Sequence, residues 1–129
     1  MTIFAKNASL RVLCFLYMDM DFFHRILSVD STSGKEAALA DILAAELAGQ
    51  GRKVEISDVG DGTKNILVSW GIPKVFFCTH LDTVPPYISP VMDGDVIRGR
   101  GSCDAKGQIF AMYETCKVLE SRGCDGFGL

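Results

Sequence analysis

Apolar positions along the chain change spacing several times, and each change predicts a new element. Across residues 19–27, Phe22, Phe23, Ile26 and Leu27 recur at the spacing of a helix with one buried face. Residues 29–33 break it. Ser33 with Glu36 three positions on forms a capping box, opening a helix with Leu39, Ile42, Leu43 and Leu47 on one face. Gly49 and Gly51 end that helix. Residues 54–57 alternate like a half-buried strand, residues 58–64 read as a Gly/Asp loop, and residues 65–70 form a second strand. A tight turn leads into residues 74–78, apolar after Lys74, which predict a central buried strand. A turn at Asp93-Gly94-Asp95 precedes a last helix with Ile109, Met112, Tyr113, Cys116 and Leu119 on one face, stopped by Gly123. Phe127-Gly128-Leu129 begins a further strand. This order of elements predicts an α/β fold, a sheet flanked by helices.

Composition narrows the function classes. The 129 residues suit one domain, and 48% hydrophobic residues suffice for a core. A net charge of −3 without runs of like charge excludes nucleic acid and anionic membrane as partners. Five cysteines, an odd number without a CxxC pair, argue against a disulfide framework or a cysteine-type zinc site and for reduced cytoplasmic thiols. The apolar stretch 12–18 follows Lys6 and Arg11 but is short and runs directly into Asp19 and Asp21. It lacks a small-x-small cleavage pattern and falls below the ~20 residues of a membrane span. Residues 1–18 are therefore expected to be a peripheral extension of a domain covering 19–129.

Two segments carry candidate chemistry. In "FFCTHLDTVPPY", an apolar run delivers His80 and Asp82 into a turn containing Pro85 and Pro86. An imidazole with a neighbouring carboxylate suits a metal such as zinc, the carboxylate fixing the ring. The same residues also serve merely to solvate a loop after a buried strand. In "GRGSCDAKG", Asp104 precedes a helix, where Asp is a favoured N-cap, and Gly99, Gly101 and Gly107 could serve turns. Lys106 and Arg100 read as solvated.

Taken together, "THLDTVP" and "DGDVIRGRGSCDAKG", about twenty residues apart, resemble the zinc hydrolases that include acetylornithine deacetylase, succinyl-diaminopimelate desuccinylase, aminoacylase and the glutamate carboxypeptidases. "SVDSTSGKE" is similar to that family's opening segment. The resemblance covers roughly residues 20–129 and implies the N-terminal part of a di-zinc aminopeptidase-like catalytic domain. It implies His80 as ligand of one of two zinc ions, with cobalt or manganese as substitutes, and Asp104 as a carboxylate bridging both. It implies Asp82 as the catalytic aspartate that orients or polarises His80. A shared anion offsets the repulsion of two nearby cations.

The family's Glu-Glu pair, a further acidic ligand, a distal histidine and the lid and dimerisation domain have no counterpart in this sequence. "TVPPYISPVM" also departs from the Trp and Pro-Phe pattern of many relatives. The expectation is a domain truncated at its C-terminal side, from a metal-dependent hydrolase acting on an N-acyl amino acid or small peptide. The alternative is a catalytically inactive fragment, at most a weak metal-binding or interaction module. Partners are then a small-molecule or short-peptide substrate, with a homodimer expected only of a longer form.

Overall fold

A computed structural model describes residues 18–129. The expected extension at 1–18 lies outside them except for Met18, which packs on the core.

Helix α1 spans Met20–Leu27, and Asp19 caps it by accepting from the Phe22 N–H at 2.8 Å. Its buried residues are Phe22, Phe23, Ile26 and Leu27, the face read from their spacing. Helix α2 spans Ala37–Leu47 and buries Leu39, Ala40, Leu43 and Leu47. The expected capping box is not formed. Glu36 itself occupies the N-cap without a side-chain cap bond, its carboxylate accepting instead from the Gly34 N–H at 2.7 Å.

Strands β1 (Arg52–Gly60) and β2 (Thr63–Trp70) form an antiparallel hairpin. They extend well into the loop expected at 58–64, leaving a two-residue Asp61-Gly62 turn. Both turn residues have positive φ, 53° and 79°, which gives the turn a twist matching the strands. Strand β3 is only Val75–Phe76. A short antiparallel pair follows, β4 (Val91–Asp93) with β5 (Val96–Arg98), around the expected turn. Helix α3 covers Lys106–Ser121, and β6 is Phe127–Gly128.

The main sheet has the order β1-β2-β6-β3, with β6 antiparallel to β2 and parallel to β3. The expectation of a central buried strand at 74–78 is therefore corrected. β6 inserts between β2 and β3, so β3 stands at the edge, with Val75 58% and Phe76 55% exposed.

Aromatic contacts join α1 to α3: the Phe22 ring lies 4.4 Å from Tyr113, and Phe23 stacks on Phe110 at 4.7 Å. α3 is tied to the sheet through Glu120, which accepts from Arg52 Nε of β1 at 2.7 Å and from Trp70 Nε1 of β2 at 3.0 Å. Lys106 is corrected from solvated to buried. It is 1% exposed, and its Nζ donates to the Val29 carbonyl at 2.6 Å. Burial pushes its ammonium group down to about 8, against the upward pull of Asp30. Among the described residues, Cys78, Cys103, Cys116 and Cys124 are free, and no helix is long and apolar enough to cross a membrane.

Candidate functional site

The chain leaves β3 and within a few residues presents His80 and Asp82 beyond the strand's carboxyl end, where open α/β sheets place their ligands. Residues 31–33 hold this segment from the side. Ser31 Oγ donates to the Leu81 carbonyl at 2.9 Å, the Thr83 N–H donates to the Ser31 carbonyl at 2.9 Å, and the Ser33 N–H donates to the Thr83 carbonyl at 3.2 Å. Thr32 and Thr83 form a parallel bridge.

Against that frame, His80 Nδ1 lies 3.0 Å from both the carbonyl and the Oδ1 of Asp82. The second oxygen of Asp82, Oδ2, accepts from Ser33 Oγ at 2.8 Å. His80 Nε2, on the other side of the ring, lies 3.2 Å from Asp104 Oδ1. The three side chains converge and stay open to solvent, at 52% exposure for His80, 41% for Asp82 and 73% for Asp104.

Asp104 comes from the loop before α3, and the reading of it as an N-cap is corrected. Ala105 occupies that position, and no side chain caps the helix. Nor does Gly107 serve a turn. It lies in the first turn of α3, where a Cβ would stand 2.3 Å from the Ser102 carbonyl oxygen. Only glycine lets the helix approach the loop so closely. At Gly101, with φ +84°, a Cβ would press on Thr83 at 3.0 Å and Lys106 at 3.1 Å. The Asp104–Ala105 and Pro85–Pro86 peptide bonds are cis. Gln108 Nε2 reaches Asp104 Oδ1 at 3.4 Å, and Thr79 Oγ1 donates to Gln108 Oε1 at 3.0 Å.

The electrostatics follow from donor and acceptor roles. Nδ1 faces two acceptors and so carries a proton. In a neutral ring Nε2 is then itself an acceptor, yet it faces the carboxylate of Asp104. Two acceptors at that separation need a positive charge between them, either a second ring proton or a cation. Burial pulls the His80 pKa down, but the Asp82 carbonyl and the Asp104 and Asp82 carboxylates outweigh it, so the net shift is upward. Asp82 is lowered, first by the Ser33 hydroxyl, against burial, and then by His80.

These donors fit a divalent metal. An imidazole nitrogen and a carboxylate oxygen bound tetrahedrally to one ion stand about 3.3 Å apart, close to the 3.2 Å observed. Asp82 supplies the carboxylate that such a histidine ordinarily has behind it. Among the described residues, no group of three or more His, Cys, Asp or Glu side chains is placed to hold a metal.

A cavity of about 510 Å³ opens beside His80 and Asp82, walled by Leu43, Leu47, Ile66, Ile109 and Tyr113. Reading the sequence missed Ser33 as a member of the site, because its spacing to Glu36 pointed to a cap. Gln108 and Thr79 left no sequence signal, since their part depends on how α3 docks.

A family model described as Peptidase family M20/M25/M40 matches residues 76–126, the span that includes His80, Asp82 and Asp104. A Peptidase M20 domain-containing protein of Schizosaccharomyces pombe is 37% identical over 99 residues, covering 69% of this chain and 25% of its own length. A LysW-lysine/LysW-ornithine hydrolase of Sulfurisphaera tokodaii is 34% identical over 98 residues, covering 76% of this chain and 27% of its own length. The chain thus spans about a quarter of the length of these relatives. Among solved structures, a tripeptidase of Staphylococcus aureus superposes with TM-score 0.67 at 22% identity, over 84% of this chain and 33% of that one. The aminopeptidase PepT of Bacillus cereus does so with TM-score 0.68 at 24% identity, over the same shares. These two share the fold, and the fold, the family match and the sequence relatives agree: the chain belongs to peptidase family M20/M25/M40.

Proposed function

We propose that this chain supplies part of a zinc-dependent site that hydrolyses an amide bond in an N-acyl amino acid or a small peptide, as a cytoplasmic deacetylase or small-peptide hydrolase does. The observation that carries this reading is the convergence of His80 Nε2 and Asp104 Oδ1 at 3.2 Å, with Nδ1 already engaged by Asp82. Relatives named as a tripeptidase, an aminopeptidase and a LysW-lysine/LysW-ornithine hydrolase support the reaction class.

In this reading His80 and Asp104 would hold the metal. Asp82 acts through His80, keeping the proton on Nδ1 so that Nε2 keeps its lone pair. A bound divalent cation supplies Lewis acidity toward water and an amide carbonyl. The apolar cavity beside His80 offers room for a small acyl or side-chain group. Partners are small molecules or short peptides, and a homodimer belongs to a form carrying the lid domain.

Calorimetric zinc titration of the 129-residue chain, beside His80→Ala and Asp104→Ala, tests the reading, with hydrolysis assays on an N-acetyl amino acid and a tripeptide. The expected result is weak zinc binding, lost in both variants, and no turnover. With two donors, water completes the coordination shell, and a missing general base alone costs a factor of about 10²–10⁴. Clear turnover or sub-micromolar binding overturns the reading of this chain as a partial site. Binding unchanged in both variants removes His80 and Asp104 as ligands.

A further inference from the structure

We propose that Ser33 is a positioning residue of this site: its hydroxyl locks the Asp82 carboxylate in the one orientation that keeps the His80 ring as an Nδ1–H tautomer with Nε2 aimed at Asp104. The proposal rests on the metal-site reading above only for its consequence in metal binding. The geometry stands without it.

Ser33 sits where a helix cap was expected, yet its hydroxyl is turned away from α2. The first turn of α2 has no side-chain cap, and the Gly34 N–H is taken by Glu36. Ser33 Oγ points instead across the fold to Asp82 Oδ2, 49 positions away in sequence, at 2.8 Å. This placement does not depend on the hydroxyl itself. The bonds of Ser31, Thr83 and the Ser33 N–H pin residues 31–33 beside 81–83 through main-chain groups and the Ser31 side chain. The backbone therefore delivers the hydroxyl to a fixed point.

The consequence lies in the carboxylate. A free aspartate rotates broadly about its last torsion. Here both oxygens are engaged, Oδ1 by His80 Nδ1 and Oδ2 by Ser33 Oγ, which fixes the carboxylate plane. With Ser33 gone, Oδ2 opens to water and the plane is released. His80 Nδ1 then keeps the Asp82 carbonyl as its one assured acceptor. The bias toward Nδ1–H weakens against the competing acceptor Asp104 at Nε2, and the direction of Nε2 relaxes with it. Ser33 is exposed, so removing its oxygen leaves no cavity.

The test uses the 129-residue chain in its wild-type, Ser33→Ala and Ser33→Thr forms. Nitrogen-15 spectra of the imidazole rings are recorded without metal, at a pH where His80 is neutral. Wild type should show His80 mainly as the Nδ1–H tautomer, with two acceptors at Nδ1 against one at Nε2. Ser33→Ala should shift the population toward Nε2–H, and Ser33→Thr should restore the wild-type pattern. His24, in α1, is the internal control and should give the same signals in all three. A zinc titration runs alongside, with an expected weakening in Ser33→Ala that stays below the roughly 10–100-fold range for losing the partner directly behind a metal-bound histidine. If Ser33→Ala lowers the melting temperature but leaves the His80 signals unchanged, Ser33 is merely structural and the proposal is overturned. Failure of Ser33→Thr to restore the tautomer overturns it as well. If wild type binds no zinc, the metal reading falls while the ring spectra still decide the role of Ser33.

Discussion

At the scale of single residues, the site is a question of where protons sit. His80 lies between two carboxylates, and its pKa is raised above its ordinary value of 6.5 despite the opposing effect of burial. A metal on Nε2 must displace a proton wherever the ring is charged. Zinc affinity should therefore rise about tenfold per pH unit below the raised His80 pKa and level off above it, one proton being released per ion. Titrations at several pH values, in buffers of different ionisation enthalpy, read that proton directly, and a flat profile would exclude His80 as ligand. Asp82→Asn should weaken zinc 10–100-fold without removing a ligand, because the neutral amide holds Nδ1–H less firmly. The same titration checks it.

At the scale of elements, α3 is the part that brings Asp104 to His80, and two contacts set its position. The first is the close approach of Gly107 to the Ser102 carbonyl, which leaves no room for a Cβ. Gly107→Ala should cost about 1–3 kcal/mol in thermal or urea unfolding. It should also weaken zinc binding, since the loop carrying Asp104 has to move. A variant that retains both properties contradicts this account. The second contact is Glu120 with Arg52 and Trp70. Arg52 is only 17% exposed in its side chain, so Glu120→Gln removes the counter-charge of a largely buried cation and should cost about 1–3 kcal/mol. The hydrogen bond from Arg52 is the main cause that lowers the Glu120 pKa, with burial opposing. A lowered carboxylate stabilises the fold above its unfolded value near 4.5, and the gain disappears as pH falls through the folded value. Wild type should therefore lose more stability than Glu120→Gln on acidification below that value, as melting curves over that range would show.

At the scale of the whole molecule, stability rests on the aromatic seam between α1 and α3. Phe22 is fully buried against Tyr113 and Phe110, and Phe22→Ala should cost about 3–5 kcal/mol. Such a loss approaches the lower end of the ~5–15 kcal/mol of ordinary domains. The melting temperature should fall steeply, whereas the exposed His80→Ala should barely move it. The sequence by itself determined what depends on neighbours within a few positions: the buried face of α1, the middle of the strands that become β1 and β2, and the α/β order. Helical and extended periodicities are local, so the residues carry them wherever they stand. The pairing of His80 with Asp82 was equally legible, since they are two positions apart. Tertiary structure decided the rest. β3 is an edge because β6, more than fifty positions later, inserts beside β2. Ser33 leaves its capping box because residues 81–83 lie alongside it. Asp104 faces His80 because Gly107 lets α3 pack down onto its loop, and Lys106 is buried because Val29, 77 positions earlier, offers its carbonyl. Each outcome is a competition between a local partner and a distant one, and only the folded chain sets the distances that decide it.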